Sequence, residues 1–131
     1  MRRNMEVATF ATWQRVPAIL RPANRNQVQE CFRIANRFGT PLYPISSGKN
    51  WGYGSRVPPA DGCSILDLSR LNRIIDFNED LGSVTVEPGV TQRRLHQFLR
   101  ERGSLLWMDA TGSSPECSLI GNAMERGFGH T

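Results

Sequence analysis

The sequence has almost no lysine, no long apolar run and no clustered cysteines. Lys49 is the only lysine, so arginine supplies nearly all of the positive charge behind the formal net charge of +4. Those arginines alternate with acidic residues and form no basic tract with interleaved aromatics, which argues against a nucleic-acid partner. Because no stretch of about 18 apolar residues occurs, we expect neither a transmembrane helix nor a membrane partner.

The cysteines give no sign of a metal site or of a disulfide framework. Cys31, Cys63 and Cys117 are odd in number and far apart, and none has metal-ligand or CxxC spacing. This predicts free thiols in a reducing compartment and no bound metal. The basic N-terminal residues are not followed by the apolar core of a secretory signal, which predicts a cytoplasmic location.

The remaining composition is that of one globular domain, with 39% hydrophobic and 21% charged residues in 131. Helices are predicted where apolar residues recur at helical spacing behind the cap residues Asn24 and Thr91 and behind Ser114-Pro115. The predicted helices are 24–38, 91–102 and 115–126. The predicted strands are 16–20, 42–45, 63–68, 73–77, 83–87 and 105–107, with 73–77 and 83–87 forming a hairpin. This order indicates an α+β fold rather than a regular βαβ repeat.

Two glycine-rich polar segments carry the signals for function. Residues 44–55 read PISSGKNWGYGS, and residues 109–131 read DATGSSPECSLIGNAMERGFGHT. Glycines and small hydroxyl residues let backbone N–H groups approach an anion closely. Two such segments in one small domain predict a long phosphorylated cofactor that is held at two places.

The first segment fits neither common nucleotide motif. Asn50 follows Gly48-Lys49 where a P-loop needs a serine or threonine for Mg²⁺. Val57 stands where the third glycine of a Rossmann fingerprint belongs, and Pro58-Pro59 prevents the helix that should follow. A long anion-binding loop that leaves a strand remains, with an ordinary polar loop as the alternative.

The first segment resembles the pyrophosphate loop of the vanillyl-alcohol oxidase and p-cresol methylhydroxylase flavoprotein family. Residues 86–91 and 112–131 are similar to two further elements of that family's flavin domain, in the same order. The resemblance implies an FAD-binding fold with two α+β subdomains and FAD between them. It divides the chain into an extension (1–15), a first subdomain (16–107) and the start of a second (108–131).

The resemblance also implies which residues surround FAD. Those expected around the pyrophosphate and its loop are Ser46, Ser47, Gly48, Lys49, Asn50 and Gly52. Those expected on the adenine side are Pro88, Gly89 and Val90. Those expected near the ribityl chain and isoalloxazine are Thr111, Gly112, Ser113, Ser114, Cys117, Ser118, Gly121, Asn122 and Gly127. Since Lys49 stands where some relatives carry a flavin-linked histidine, no covalent bond is expected at this loop.

The implied activity is oxidation of a 4-alkylphenol or related aromatic alcohol by hydride transfer to FAD. Tyr53 matches a catalytic tyrosine that binds the phenolate oxygen in the phenol-oxidising branch, although a packing tyrosine is the alternative. The implied partners are a small phenolic substrate, a cytochrome c or oxygen as electron acceptor, and a second copy of the chain. In the hydroxylase branch the location would be periplasmic.

Two other functions stay open. One is a non-catalytic truncated or split flavoprotein, and the other is an FAD-linked 2-hydroxy-acid dehydrogenase, against which Tyr53 argues. The family continues with Pro-Tyr-Gly-Asp, whose aspartate is catalytic or activates the flavin, and Thr131 comes just before that point. The expectation is therefore that this chain alone does not turn over phenols.

Overall fold

A computed structural model of the chain describes residues 5–8, 13–49, 56–109 and 114–125. The elements within these ranges mix runs of strands with helices, which confirms the α+β class. In chain order they are β1 (Met5–Ala8), β2 (Trp13–Val16), β3 (Ile19–Leu20), α1 (Arg25–Arg37), β4 (Leu42–Ile45), β5 (Ser64–Asp67), β6 (Ile74–Asn78), β7 (Ser83–Val86), α2 (Gln92–Glu101) and α3 (Leu119–Glu125). None of the described helices is long and apolar enough to cross a membrane.

A three-stranded parallel sheet forms the first core. Strand β5 lies between β3 and β4 and runs parallel to both. Val16, Ile45 and Ile65 pack together there, and all four residues of β5 are buried. Because the strands are parallel, their carboxyl ends meet at one edge of the sheet. The residues that follow the strands at this edge are Arg21, Ser46 and Leu68.

Helix α1 is bounded by the cap residues that the sequence indicates. The Asn24 side chain accepts from the Gln27 N–H at 3.0 Å, and the Gln27 side chain accepts from the Ala23 N–H at 2.7 Å. Gly39, at φ 59°, ends the helix, and the Thr40 N–H donates to the Ala35 carbonyl at 2.9 Å. This is the hydrogen-bond pattern of a Schellman motif, in which a residue with positive φ satisfies the last carbonyls.

The hairpin and α2 form a second core. Strands β6 and β7 pair antiparallel as predicted, and they cover a cluster of Val90, Leu95 and Leu99. The rings of Phe77 on the hairpin and Phe98 on α2 meet edge to face, with centroids 5.4 Å apart. This cluster fixes the start of α2 beneath the hairpin.

The predicted start of the third helix at Ser114-Pro115 is wrong, because α3 begins at Leu119. The Cys117 N–H donates to the Ser114 carbonyl at 3.0 Å, which closes a turn. The Pro115 carbonyl accepts from the Arg93 N–H at 2.9 Å, at the beginning of α2. The backbone here is therefore engaged with another segment before a helix can form.

Two strand predictions also need correction. The predicted strand 16–20 is divided between β2 and β3, because Pro17 has no N–H to give to a ladder. The predicted strand 105–107 is not a strand: Leu105 is 94% and Trp107 74% exposed, and no described strand pairs with them. Strand β1, which the sequence did not indicate, pairs antiparallel with β2 inside the segment expected as an extension. The subdomain boundaries remain predictions.

Candidate functional site

A cavity of about 500 Å³ opens at the carboxyl edge of the parallel sheet. Its volume lies within the range of small-molecule and cofactor sites. Strand β4 and the loop after it form one wall, and Pro88 and the start of α3 form the other. The described residues that line it are Tyr43, Pro44, Ile45, Ser46, Ser47, Gly48, Lys49, Leu68, Pro88, Cys117, Ser118, Ile120, Gly121, Asn122 and Met124.

Backbone hydrogen bonds fix the wall that Pro88 shares with α3. The Gln92 N–H donates to the Cys117 carbonyl at 3.0 Å, and the Leu119 N–H donates to the Val90 carbonyl at 3.2 Å. The Ser118 hydroxyl donates to the Pro88 carbonyl at 2.7 Å and accepts from the backbone of α3 at 3.0 Å. Segments 88–92 and 117–121, which are about 30 residues apart in sequence, therefore form one rigid wall.

The two walls approach each other at Gly121 and Ser46. A Cβ added to Gly121 would lie 2.5 Å from the Ser46 hydroxyl oxygen. A side chain at position 121 would overlap the Ser46 hydroxyl in its present orientation, so this contact accounts for a glycine in the first turn of α3. The first loop and α3 consequently converge on one point of the cavity.

The loop after β4 presents polar groups to the cavity. Gly48 has φ +64°, a conformation that L side chains rarely adopt. The Ser47 hydroxyl oxygen is buried and has no hydrogen-bond partner among the described residues. An unpaired buried hydroxyl costs about 1–3 kcal/mol, so this group on the cavity wall is a candidate donor to a ligand. Lys49 is exposed at the rim.

Two acidic residues stabilise the edges of the cavity. Burial opposes ionisation of Asp67, but hydrogen bonds from Ser69 and from Arg21 outweigh it and hold the pKa of Asp67 below its ordinary value. The Arg73 side chain donates to the Glu87 carboxylate at 2.8 Å and lowers the pKa of Glu87. Glu87 immediately precedes Pro88, so this pair anchors the turn that enters the cavity wall.

The structure brings together nine of the predicted cofactor-binding residues. Those on the cavity wall are Ser46, Ser47, Gly48, Lys49, Pro88, Cys117, Ser118, Gly121 and Asn122. Val90 is fully buried in the second core, and Gly89 packs against the backbone carbonyls of residues 68–71. Ser114 lies in the turn before α3. The cofactor-binding predictions that lie outside the described residues are Asn50, Gly52, Thr111, Gly112, Ser113 and Gly127, and the predicted catalytic Tyr53 also lies outside them.

Sequence reasoning did not assign several apolar residues of the cavity. They are Tyr43, Pro44, Ile45, Leu68, Ile120 and Met124. The available signal was their position, because the first four belong to the predicted strands 42–45 and 63–68, and Ile45 and Leu68 end them. Pairing β4 and β5 in parallel is what places those ends together, and the spacing of apolar residues does not reveal it.

Comparisons with known proteins agree with this geometry. Residues 16–131 match the model of a family described as FAD binding domain. The chain is 56% identical over 124 residues to 1'-carboxy-chondrochloren decarboxylase of Chondromyces crocatus, covering 95% of this chain and 23% of that protein. It is 36% identical over 105 residues to the hydroxylating 4-cresol dehydrogenase flavoprotein subunit of Pseudomonas putida, covering 80% and 20%.

A solved structure shows the same fold. The 4-ethylphenol oxidase of Gulosibacter chungangensis, in its isoeugenol complex, matches with a TM-score of 0.80 and 38% identity, over 86% of this chain and 22% of that one. The chain thus spans between 20% and 23% of the length of these relatives.

The cavity residues fit the cofactor that the family implies. The unpaired Ser47 hydroxyl, the left-handed backbone at Gly48 and the adjacent Lys49 are groups that hold a diphosphate. The apolar wall beyond them suits the flat rings of a flavin nucleotide. The chain therefore belongs to the FAD binding domain family of p-cresol methylhydroxylase-type flavoproteins, and its cofactor is FAD.

Proposed function

We propose that the chain is the FAD-holding part of an oxidoreductase that oxidises 4-alkylphenols or related aromatic alcohols. The observation that carries the proposal is the meeting of the loop 46–49, Pro88 and residues 117–122 on one cavity. The cresol and ethylphenol relatives supply the substrate class. Because the chain spans 20% and 22% of the length of those two relatives, we assign to it the binding of the cofactor and not the whole reaction.

Different residues of the cavity would bind different parts of FAD or shape the space for it. The hydroxyl of Ser47 and the backbone N–H groups beside Gly48 would donate to the diphosphate, and Lys49 would add a positive charge. Ser118 keeps Pro88 and α3 together, and Gly121 leaves room for close approach. When bound, FAD supplies the acceptor for a hydride.

Tyr53 would act on the substrate. It would hold the phenolate oxygen, so that the phenol proton is lost to solvent and the ring can release electrons. The benzylic carbon then gives up a hydride, and a quinone methide remains that water can attack. A cytochrome c or oxygen would take the two electrons from the cofactor.

A second candidate is oxidative decarboxylation, which the 56% identity to a decarboxylase favours. The same hydride loss from a phenol that carries a carboxylate on the next side-chain carbon leaves a quinone methide that can release CO₂. The electrons of the broken C–C bond then form a vinyl group. The two reactions therefore differ in whether water adds or CO₂ leaves.

The test replaces the corresponding segment of the Pseudomonas putida flavoprotein subunit with this chain. We expect the chimera to retain FAD and to oxidise 4-cresol with an artificial electron acceptor, and Tyr53→Phe to abolish turnover with FAD content unchanged. The isolated 131-residue chain is expected to bind FAD without turnover. Equal rates for the chimera and its Tyr53→Phe variant would refute the phenol assignment, and CO₂ release from a carboxylated phenol would select the second candidate.

A further inference from the structure

We propose that Arg56 is a positioning residue that holds the loop 46–49 in its diphosphate-binding conformation. This inference rests on the assignment of FAD to the cavity. Arg56 belongs to neither nucleotide motif and lies outside the segment 44–55 that resembles the pyrophosphate loop. Its side chain nevertheless contacts two consecutive residues of the cavity wall.

The first contact is a hydrogen bond. The Arg56 guanidinium donates through Nη2 to the Ser47 carbonyl at 3.3 Å. It joins the two ends of the ten-residue segment 47–56. Because Ser47 also carries the unpaired buried hydroxyl, a shift of its backbone would move the group that we assign to the diphosphate.

The second contact is the packing of the Arg56 side-chain stem, from Cγ to Nε, across Gly48. A Cβ added to Gly48 would lie 2.5 Å from Nε, 2.7 Å from Cγ and 3.2 Å from Cδ of Arg56. The side chain therefore occupies the space that the glycine leaves free. Gly48 and Arg56 form one unit, in which the glycine supplies φ +64° and the arginine covers its face.

Within the described part of the chain, these two residues connect the Arg56 side chain to the cavity wall. Ser47 and Gly48 line the cavity, whereas Arg56 is exposed and is not among the described lining residues. The guanidinium thus acts on the loop from outside, and direct neutralisation of the phosphates falls to Lys49. This predicts that Arg56 affects phosphate-bearing ligands through geometry and not through charge.

Affinity measurements on the 131-residue chain test this. Arg56→Ala and Arg56→Met should raise the Kd for FAD and for ADP by about 3- to 10-fold, the effect of one lost hydrogen bond, and leave riboflavin binding unchanged. The dependence of the Kd on ionic strength should stay that of the wild type. Arg33→Ala on the exposed face of α1 is the control and should change none of these values.

A mutant cycle and amide hydrogen exchange complete the test. Gly48→Ala should weaken FAD binding less in an Arg56→Ala background, because the overlap with the stem is gone. In the unliganded chain, Arg56→Ala should speed exchange of the amides of residues 47–49 and leave α2 unchanged. Three results for Arg56→Ala would each overturn the proposal: unchanged exchange of the amides of residues 47–49, an equal loss of affinity for FAD and for riboflavin, or a reduced dependence of the Kd on salt. Failure of the wild-type chain to bind FAD would instead refute the cofactor assignment, while the exchange experiment still decides the role of Arg56.

Discussion

Replacing Gly121 by alanine should weaken FAD binding while changing the free energy of unfolding only slightly. The added Cβ would lie 2.5 Å from the Ser46 hydroxyl oxygen, about 1 Å closer than ordinary van der Waals contact. The hydroxyl must therefore rotate or shift, which costs about 0.5–1.5 kcal/mol. Alanine is favoured over glycine by about 1 kcal/mol in a helix interior and by less in the first turn of α3, where Gly121 lies. The free energy of unfolding should thus change by less than about 1 kcal/mol.

The same substitution should weaken FAD binding markedly, because Ser46 and Gly121 both line the cavity assigned to FAD and displacing the hydroxyl changes the shape of that wall. We expect the Kd for FAD, measured by quenching of flavin fluorescence, to rise at least about tenfold, which corresponds to about 1.4 kcal/mol. The double variant Gly121→Ala/Ser46→Ala removes the overlapping oxygen and should recover most of this loss. Wild-type affinity in Gly121→Ala, or no recovery in the double variant, would refute the reasoning.

The matched control is Gly89→Ala. There an added Cβ would lie 2.7 Å from the backbone carbonyls of Leu71 and Ser69. Backbone cannot rotate away as a serine hydroxyl can. This variant should therefore lose about 1–3 kcal/mol of stability, and the midpoint of its thermal melt should fall by roughly 3–12 °C. An unchanged melt would show that the turn after Glu87 is free to move.

Three further predictions concern stability and its dependence on pH. Ser47→Ala should leave the stability of the unliganded chain unchanged or raise it, because the substitution removes an unpaired buried hydroxyl. It should reduce the rise in melting temperature that FAD produces. A loss of stability without FAD would contradict this prediction. Leu99→Ala should cost about 2–5 kcal/mol in urea unfolding, because it opens the second core. The pKa of Asp67 is lower in the folded chain than in the unfolded chain. The ionised carboxylate therefore adds to the free energy of unfolding above the unfolded-state pKa of about 4, and this stabilisation is lost as the pH falls through the folded-state pKa. Asp67→Asn should therefore be less stable than wild type near neutral pH, and the difference should shrink in acid.

Much of the local structure followed from residues that act on their immediate neighbours. Asn24 and Thr91 cap helices because their side chains accept from N–H groups three residues later. Gly39 ends α1 because it adopts a positive φ. The hairpin of β6 and β7 followed from a polar turn between two apolar runs. Each of these interactions spans only a few residues, so sequence alone reveals it.

The sequence failed where a distant segment decided the outcome. Ser114-Pro115 has the chemistry of a helix start, but the backbone there pairs with the beginning of α2, and the helix begins only at Leu119. Leu105 and Trp107 have strand-forming side chains, yet no described strand lies beside them. Local preference sets what a segment can form, and pairing with the rest of the chain selects among those forms.

By itself the sequence determined the α+β class, the caps, the hairpin and the two glycine-rich segments, since these depend on periodicity, turn chemistry and residue type. Only the tertiary structure decided that the loop after β4, Pro88 and α3 enclose one cavity. It also showed that Gly121 faces Ser46 and that the Ser47 hydroxyl has no partner among the described residues. The physical reason is long-range pairing. The parallel pairing of β3, β5 and β4 gathers strand ends that are far apart in sequence at one edge of the sheet, and hydrogen bonds hold the segment around Pro88 against the start of α3.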